Sequence, residues 1–421
     1  MHHGGPGITY RRSGLLDAFE WFVGIDWATR SHQVCVVPPG GGASEQRAFP
    51  HSFDGLARLS KWLEELGTTP EAIAVAIEVP HGAVVETLVE RGMTVHSLNP
   101  KQLDRFRDRH TVAGAKDDRR DAYVLADALR TDLHLFKRVV VPDAARLQLR
   151  ELSRCYDDIV TDLNRVVNRL REQLQRFAPQ LLELCPSANE PWFWDLVELG
   201  ADPVKGRTLR KNRIQAVLTR HRKRSVSVDE VVTAVRTPAL RIAVGSLAAA
   251  LEHIGLLLPQ VRLLHSQAAA CKQRIAELNT EVGRPAEVLM SHPGIATIIA
   301  ATLLAEASQV LADADLARLR VLAGTAPVTK RSGKACVAVM RTACNSRVRH
   351  AVRQWAFTAA RTDPHARDLY HRMRERGLHH ERALRGVGDR LLACLVASIR
   401  DDSLYDPDLR SRHLKMDPTT A

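Results

Sequence analysis

Residues 21–37, WFVGIDWATRSHQVCVV, contain two short apolar runs separated by a polar turn. Short runs rich in Val, Ile and aromatic residues predict β-strands, and a third strand is predicted over residues 45–49. Farther along, strand and helix patterns alternate, with strands at 72–77 and 93–98 and helices at 53–66, 83–91, 100 onward and 118–130. Three strands followed by alternating helix and strand predict an α/β domain with a mixed sheet over residues 20–142.

The composition is typical of a soluble protein with a polyanionic partner. The chain has 421 residues, 45% of them hydrophobic, which is enough for two or three domains. Its formal net charge is +12. Nucleic acid is the commonest partner of such a basic surface, although a solvated surface without a partner has the same charge. The N-terminus lacks an apolar leader and the seven cysteines lack metal-binding spacing. We therefore expect a cytoplasmic, nucleoid-associated protein with no membrane partner.

Two long helical series follow the α/β domain. Residues 149–177 and 247–282 carry apolar side chains at alternating steps of three and four, which is the seam of a coiled coil. We expect a coiled-coil arm over residues 143–284, whose two helices either fold back antiparallel or pair between subunits. Residues 285–400 predict a compact, mostly helical C-terminal domain.

A basic segment lies between the two helical series. KGRTLRKNRIQAVLTRHRKR, residues 205–224, holds nine Lys or Arg and no acid. Like charges at helical spacing repel one another, so contact with a phosphate backbone is favoured over a solvated face. The segment has no interleaved aromatic residues for base stacking, and it serves either DNA or RNA. The candidate contacts are Lys205, Arg207, Arg210, Lys211, Arg213, Arg222, Lys223 and Arg224.

Four acids occupy positions suited to metal-dependent phosphoryl chemistry. Asp26 and Glu78 each end an apolar strand, while Asp118 and Asp121 lie three residues apart near a helix start. Two divalent ions need bridging carboxylates held on rigid elements. Each acid alone also has an ordinary explanation, because Asp is a common turn former and Asp118 suits a helix cap. Together they predict a metal site.

Three stretches resemble the N-terminal domain of the DEDD-type insertion-sequence transposases. They are VGIDWATRSHQVCVV (23–37), AVAIEVPHG (74–82) and AKDDRRDAYVLADALR (115–130). The resemblance implies a RuvC-like, ribonuclease H fold. It also implies that the family's four metal-binding acids correspond to Asp26, Glu78, Asp118 and Asp121, with Lys116 in the family's closing pattern. Asp117 stands where the family usually has a small polar residue and is a rival ligand to Asp118.

The C-terminal region resembles the transposase domain of the same family. In GTAPVTKRSGK (324–334) the resemblance assigns the nucleophile to Ser332. Lys330, Arg331 and Lys334 would hold the scissile phosphate and offset developing charge. Taken alone, this stretch also suits an ordinary basic surface turn.

Two further segments resemble parts of that C-terminal domain. SHPGIATIIAATLLAE (291–306) is similar to a helix-hairpin-helix-like element that grips the DNA backbone, with Ala296 where glycine is usual. CNSRVRHAVRQWA (344–356) is similar to an Arg-rich family helix, with Cys344 in place of glycine and with Arg347 and Arg349 as candidate nucleic-acid contacts. The two departures put the local backbone geometry in question.

The resemblance implies an enzyme that cuts and rejoins DNA at insertion-sequence ends and at a target. It implies Mg²⁺ (or Mn²⁺) at the acids, a serine joined to a DNA 5′ phosphate, guidance by a bridge RNA, and a homo-oligomer, either a dimer or a tetramer. Three alternatives use the same features: a Holliday-junction resolvase-like nuclease that employs water, a site-specific DNA invertase, and a non-catalytic nucleic-acid-binding relic.

Overall fold

The computed structural model describes residues 18–42, 44–110, 117–332 and 335–407. The chain forms two compact units, Met1–Val141 and Pro142–Ala421. Lys116 and Lys334, both predicted to contact nucleic acid, lie outside the described residues. The further domain boundary near residue 284 stays a prediction.

The first unit is built on a six-stranded sheet with the order β3-β2-β1-β4-β5-β6. Its strands are β1 (Trp21–Asp26), β2 (Ser31–Val37), β3 (Glu45–Pro50), β4 (Ile73–Ile77), β5 (Thr94–Ser97) and β6 (Lys137–Arg138). Strand β1 pairs antiparallel with β2 and parallel with β4. The predicted mixed sheet is therefore confirmed, and it is consistent with a ribonuclease H-like domain.

Helices cover both faces of this sheet. They are α1 (Phe53–Glu64), α2 (Ala83–Glu90), α3 (Pro100–His110) and α4 (Asp118–Asp132). On one face, Val23 and Ile25 share a buried core with apolar residues of α1 and α2. On the other face, Phe22 shares a core with α3 and α4. Successive residues of a strand point to opposite faces, so β1 contributes to both cores.

Gly24 allows α4 to lie directly against the sheet. A Cβ atom at Gly24 would lie 2.0 Å from the Ala122 carbonyl oxygen and 2.5 Å from the Ala126 backbone nitrogen. Ala74 and Ala76 of β4 are also buried in the core on the α4 side. Small residues on two adjacent strands therefore bring the backbone of α4 close to the carboxyl ends of β1 and β4.

The second unit is mostly helical, with one β-hairpin. Its elements are α5 (Ala144–Phe177), α6 (Pro179–Leu184), α7 (Pro191–Gly200), α8 (Pro203–Thr208), α9 (Lys211–Arg220), α10 (Val228–Arg236), α11 (Val244–Val282), α12 (Arg284–Ser291), α13 (Thr297–Glu306), α14 (Ser308–Ala312), α15 (Leu316–Ala323), β7 (Val328–Ser332), β8 (Ala335–Val339), α16 (Ser346–Thr362), α17 (Pro364–Glu375) and α18 (His380–Arg400).

The two long helices of this unit, α5 and α11, pack against each other in antiparallel order. Leu149, near the start of α5, shares a core with Leu278, near the end of α11. Leu170 and Leu174, near the end of α5, share another core with Ile254, near the start of α11. Of the two arrangements that the sequence left open, the chain adopts the fold-back within one subunit. Whether the pair supercoils stays a prediction.

Helices α6 to α10 form an excursion between the long helices. The excursion leaves from the end of α5 and returns just before α11. At this junction the Leu240 backbone N–H donates a 2.8 Å hydrogen bond to the Phe177 carbonyl oxygen. The two ends of the excursion therefore lie side by side.

Among the described residues, α11 is the one helix long and apolar enough to cross a membrane by length and composition. Its buried side chains share cores with α5 and other helices of the second unit. Long core helices of soluble proteins satisfy the same composition test, so this feature is weak evidence for a membrane span.

Candidate active site

The sheet register brings two of the predicted acids to one edge. Strands β1 and β4 run parallel, with Ile25 opposite Ile77. Asp26 is the last residue of β1 and Glu78 directly follows β4, so both acids leave the sheet at the same end. Because Asp26 is two residues from Gly24, its side chain points to the face that α4 covers.

Helix α4 brings the other two acids to this edge. Asp117 is the N-cap residue, and its carboxylate accepts a 3.2 Å hydrogen bond from the Arg119 backbone N–H. Asp118 and Asp121 lie in the first turn, and Asp121 is only 2% exposed. The ordinary explanation of Asp118 as a cap is therefore wrong, because Asp117 is the cap. That role leaves Asp118 available to the acidic cluster.

The four acids interact electrostatically at Asp26. Burial, followed by the negative charges of Asp121, Asp118 and Glu78, raises the pKa of the Asp26 carboxyl to about 6. Arg107 partly offsets this rise. Like charges held close together disfavour ionisation. The first unit therefore concentrates negative charge at one sheet edge, where a cation would stabilise it.

Arg107 of α3 supplies a cation to this cluster. Its Nε donates a 2.7 Å hydrogen bond to Asp121 Oδ1, and its Nη2 donates a 2.8 Å hydrogen bond to Asp121 Oδ2. A further guanidinium nitrogen pairs with Asp104 at 2.6 Å. No local pattern predicts this contact, because Arg107 is one of several arginines in RFRDR and its partner is 14 residues away.

Within the described ranges, no group of three or more His, Cys, Asp and Glu side chains is arranged to hold a metal ion. The donor set nevertheless fits a hard divalent cation, since all four predicted ligands are carboxylates. The charge also fits, because the carboxylates raise the pKa of Asp26 and one of them already binds a guanidinium. Arg107 takes one hydrogen bond on each oxygen of Asp121, so it competes with a bound cation for this carboxylate.

Two histidines lie beside this edge and were not predicted. His32 Nε2 and His51 Nδ1 are 2.9 Å apart, and the Trp27 ring lies against both imidazoles. Burial, together with the nearby His51, lowers the pKa of His32. His32 lies on β2, directly before Gln33, the residue paired with Asp26. Because successive strand residues alternate, His32 points to the face opposite the one that Asp26 and α4 share, so the pair is not part of the acidic cluster.

Ser332 lies at the tip of the β-hairpin of the second unit. It is the last residue of β7 and pairs with Ala335 of β8. Gly333 and Lys334 between them are outside the described residues, as are the side chains of Ser332 and Lys330. Arg331 is an exposed residue of β7. The ordinary alternative for this stretch is a basic surface turn, and the structure instead has residues 328–332 in a strand that pairs antiparallel with β8.

Arg347 participates in an ion-pair network around the buried carboxylate of Glu306. Its guanidinium lies 2.7 Å from Asp157 and 3.5 Å from Glu306. The Glu306 carboxylate also accepts hydrogen bonds of 2.9 Å from Arg154 and 3.0 Å from Asn345. Burial alone would raise the pKa of Glu306, but these hydrogen bonds outweigh it and the pKa is lowered. Arg347 thus joins α16 to α5 and α13, and its predicted contact with nucleic acid stays a prediction.

The basic segment forms the helices α8 and α9 and the turn that follows them. Four of its nine cations are paired with acids outside the segment: Lys211 with Asp229 at 2.7 Å, Lys223 with Glu190 at 2.7 Å, Arg220 with Asp195 at 3.3 Å and Lys205 with Asp202 at 3.9 Å. The other five are exposed, and within the described residues their side chains have no hydrogen bond or ion pair, namely Arg207, Arg210, Arg213, Arg222 and Arg224. These five leave an uncompensated positive surface.

The predicted hairpin between helices α12 and α13 has a well-defined turn. Gly294 has φ +88°, and a Cβ atom there would lie 2.9 Å from the Ala359 backbone nitrogen of α16. Ala296 has φ −113°, which any residue adopts, so its departure from the family's glycine causes no strain. Cys344 is likewise absent from the residues with positive φ. Whether this element grips DNA stays a prediction.

Comparison with known proteins identifies the class of the chain. Residues 23–179 match a family model described as a transposase, of the DEDD type found in IS110 elements. Residues 286–371 match the transposase family of IS116, IS110 and IS902. These two matches cover the acidic cluster and the serine hairpin. A transposase is an enzyme that acts on DNA.

Individual relatives agree with this class. A candidate transposase of Sinorhizobium fredii is 46% identical over 214 residues, which are 50% of this chain and 60% of that protein. The candidate mini-circle transposase for IS117 of Streptomyces coelicolor is 30% identical over 93% of this chain and 96% of its own length. An IS110 protein of 43.6 kDa from the same organism is 27% identical over 91% of this chain and 95% of its own length. The chain belongs to the DEDD-type transposases of the IS110 family.

Proposed function

We propose that this transposase breaks and rejoins DNA by using Ser332 as the nucleophile and the four carboxylates as the metal site. The observation that carries the proposal is the mutual repulsion at Asp26, where burial and three other carboxylates raise the pKa to about 6. A cluster of like charges on rigid elements is costly to the fold, and it is typical of sites that bind a cation.

The carboxylates Asp26, Glu78, Asp118 and Asp121 would hold Mg²⁺ or Mn²⁺. When bound, the metal supplies Lewis acidity to a phosphoryl oxygen. Asp117 is a weaker candidate ligand than Asp118, because it caps α4 and is not among the charges that raise the pKa of Asp26. The protein positions these oxygens at the junction of β1, β4 and α4.

The Ser332 hydroxyl carries out the transfer step. Its Oγ forms a bond to phosphorus as the bond between phosphorus and the 3′ oxygen breaks. The proton of the Ser332 hydroxyl passes to solvent water, and the departing 3′ oxygen takes one proton from water, so it leaves as a hydroxyl with no net change in protons. The strand then remains attached through a 5′-phosphoserine. Since one phosphoester replaces another, the reverse step rejoins DNA without an added energy source. Arg331, with Lys330 and Lys334, would hold the phosphate.

The partners follow from the same proposal. The five exposed arginines of the basic segment support phosphate contact without reading bases, which suits a structured RNA such as the bridge RNA of similar elements. DNA at the element ends and at the target is the substrate. The working assembly is a homo-oligomer, a dimer or a tetramer, in the cytoplasm and associated with the nucleoid.

The test uses Ser332→Ala, with the exposed Ser346→Ala as a matched control. Each protein is incubated with Mn²⁺ and a 3′-labelled duplex that spans an element end, taken from the DNA that flanks the gene. Wild type and Ser346→Ala should give a protein–DNA adduct that survives denaturation, and Ser332→Ala should give neither adduct nor cleavage. Asp26→Asn should behave like Ser332→Ala.

Two results would contradict the proposal. If Ser332→Ala still cuts the duplex, the enzyme is a hydrolytic, resolvase-like nuclease that uses water at the acids. If the wild type binds the duplex but neither cuts it nor forms the adduct at any element junction, the protein is a non-catalytic relic.

A further inference from the structure

A small pocket opens at the base of the hairpin that carries Ser332. Its volume is about 110 Å³, and Met340, which follows β8, lies at its edge. Its lining is mostly apolar. The buried Val352 and Leu384 are called its floor, and the half-buried Arg349, Arg353 and Arg385 are called its rim. Small-molecule sites usually measure about 300–1,000 Å³. The pocket is therefore too small for a nucleotide cofactor and large enough for one compact anionic group.

The first arginine of the rim, Arg349, is fixed in place by backbone. Its Nη2 donates to the Arg341 carbonyl oxygen at 2.7 Å and to the Thr342 carbonyl oxygen at 3.3 Å. Gly324, which also lines the pocket, has φ +70°, and a Cβ atom there would lie 2.9 Å from the same Nη2. Glycine at 324 thus both ends α15 in a left-handed conformation and makes room for the guanidinium.

The other two arginines give the pocket a positive charge. Arg353 pairs with Glu381, with Nε 2.7 Å from Oε2. Arg385 is half-buried, and among the described residues its guanidinium has no hydrogen-bond or ion-pair partner. Three arginines against one carboxylate leave two positive charges on an apolar floor. Positive charge that is partly removed from water is stabilised by an anion.

We propose that this pocket binds a phosphodiester group of the DNA strand that Ser332 attacks. The arginine forks would take the phosphate oxygens, as guanidinium groups commonly do, and the apolar floor would lie against the adjoining sugar. This proposal rests on the proposed function, and it adds a second phosphate site to the one at the serine.

The position of the pocket gives it a role in setting register. Val328–Ser332 is five residues of extended strand, and its four steps span roughly 14 Å at about 3.4 Å a residue. One strand of B-form DNA advances about 3.4 Å a nucleotide along the helix axis and also winds around it. A phosphate in the pocket would therefore lie at most about four nucleotides from the one that Ser332 attacks. The pocket selects which phosphodiester reaches the serine.

The test measures binding only, in a Ser332→Ala background with EDTA, by fluorescence anisotropy over a range of salt concentrations. The probes are the element-end duplex and a single-stranded RNA of equal length. Arg385→Ala should weaken duplex binding about tenfold and reduce the slope of log affinity against log salt by about 0.9. The matched control is Arg372→Ala, an exposed arginine of α17 outside the pocket, which should change affinity less than about twofold.

A second variant distinguishes a lost phosphate contact from misfolding of the Arg385→Ala protein. Met340 is 52% exposed, so Met340→Glu places a carboxylate at the edge without disturbing the core and should also weaken duplex binding. The proposal is overturned if Arg385→Ala and Arg372→Ala change duplex affinity equally. It is also overturned if Met340→Glu leaves duplex binding unchanged. A loss confined to RNA assigns the pocket to RNA and also overturns the proposal. Because the background lacks Ser332, these outcomes are independent of whether that serine is the nucleophile.

Discussion

The guanidinium of Arg107 binds both carboxylate oxygens of Asp121, through hydrogen bonds of 2.7 and 2.8 Å. Asp121 is buried, with 3% of its side chain exposed, whereas that of Arg107 is 27% exposed. A buried carboxylate without a partner is costly. Arg107 therefore acts as a counter-ion to the acidic cluster, and it occupies the oxygens that a metal ion would use.

Arg107→Gln should lower stability in EDTA and strengthen metal binding. Removal of the guanidinium leaves Asp121 unpaired, which should cost about 3 kcal/mol in the free energy of urea unfolding. The same change adds negative charge to the cluster, so Mn²⁺ should bind about tenfold more tightly, about 1.4 kcal/mol. Titration calorimetry measures the binding, and unfolding with added Mn²⁺ shows the recovered stability.

The control for this variant is Arg109→Gln on the same helix. Arg109 pairs with Asp132 at 3.1 Å, and its side chain is 53% exposed, so its loss should cost less than about 1 kcal/mol. Equal costs for the two variants, or weaker Mn²⁺ binding by Arg107→Gln, would contradict the role of Arg107 as a replaceable counter-ion.

The raised pKa of Asp26, about 6 against a usual 3.8, predicts a definite pH dependence. The folded state holds the Asp26 proton up to a higher pH than the unfolded state. The contribution of Asp26 to stability is therefore fully present below about pH 4 and is lost as the pH rises through about 6. Asp26→Asn should remove this loss, so the variant should be more stable than the wild type at pH 7 in EDTA. Urea unfolding from pH 4 to 7 measures it.

The exposed Asp108→Asn is the matched control for this pH series. Its free energy of unfolding should depend on pH as that of the wild type does. The free energy of unfolding of Asp26→Asn should rise above the wild-type value between about pH 4 and 6. Parallel profiles for all three proteins would show that the acids do not repel one another in the fold.

Gly24→Ala should disrupt the acidic cluster. The added methyl group would lie 2.0 Å from the Ala122 carbonyl oxygen, so α4 must move away from the sheet and take Asp118 and Asp121 with it. We expect a loss of about 3 kcal/mol or more in stability and much weaker Mn²⁺ binding. Gly40→Ala is the control, because a Cβ atom there meets nothing within 4 Å. Normal metal binding by Gly24→Ala would argue against α4 as the carrier of the site.

Glu306→Gln should destabilise the second unit. The side chain of Glu306 is 6% exposed and pairs with Arg154 and Arg347. Its loss removes charge-assisted hydrogen bonds from partly exposed arginines, of which Arg347 keeps Asp157, and should cost about 2 kcal/mol. Because the pKa of Glu306 is lowered, its contribution should be present at neutral pH and be lost as the pH falls below the usual range of a glutamate. Glu277→Gln removes a 50% exposed partner of Arg274 and should have little effect. Similar costs for both would contradict the network.

The exposed arginines of the basic segment should contribute to nucleic-acid binding through charge alone. Replacement of Arg207, Arg210 and Arg213 by Ala should reduce the salt slope of RNA binding by roughly two units, since each phosphate contact accounts for about 0.7 on a single strand. The exposed Arg171→Ala on α5 serves as the control. An unchanged slope in the triple variant would indicate a solvated surface instead.

Local patterns in the sequence predicted most of the first unit. The helix predicted over 53–66 is observed at Phe53–Glu64, and the one over 118–130 at Asp118–Asp132. The apolar runs that end at Asp26 and Glu78 became adjacent parallel strands. These elements were predictable because their hydrophobic periodicity and the residues that start and end them lie within short stretches of sequence.

The remaining features depend on contacts between distant residues. Nothing near Arg107 distinguishes it from its neighbouring arginines, because its role comes from the packing of α3 beside α4. The same holds for Asp117 and Asp118, since only the actual start of α4 decides which of them is the cap. Whether α5 and α11 pair within one subunit or between two subunits was also undetermined. The apolar seam of each helix is the same in both cases.

The hydrogen bond from Leu240 to Phe177 holds the two ends of the excursion between the long helices side by side. An inserted domain whose two ends meet can be exchanged without stretching its host. A replacement excursion must also supply the apolar side chains that pack against α5 and α11, because the three share one core. With that core kept, we expect a different arm tip to leave the fold of the hairpin and of the acidic cluster unchanged. For an engineer, the same junction is the place to graft a new recognition module.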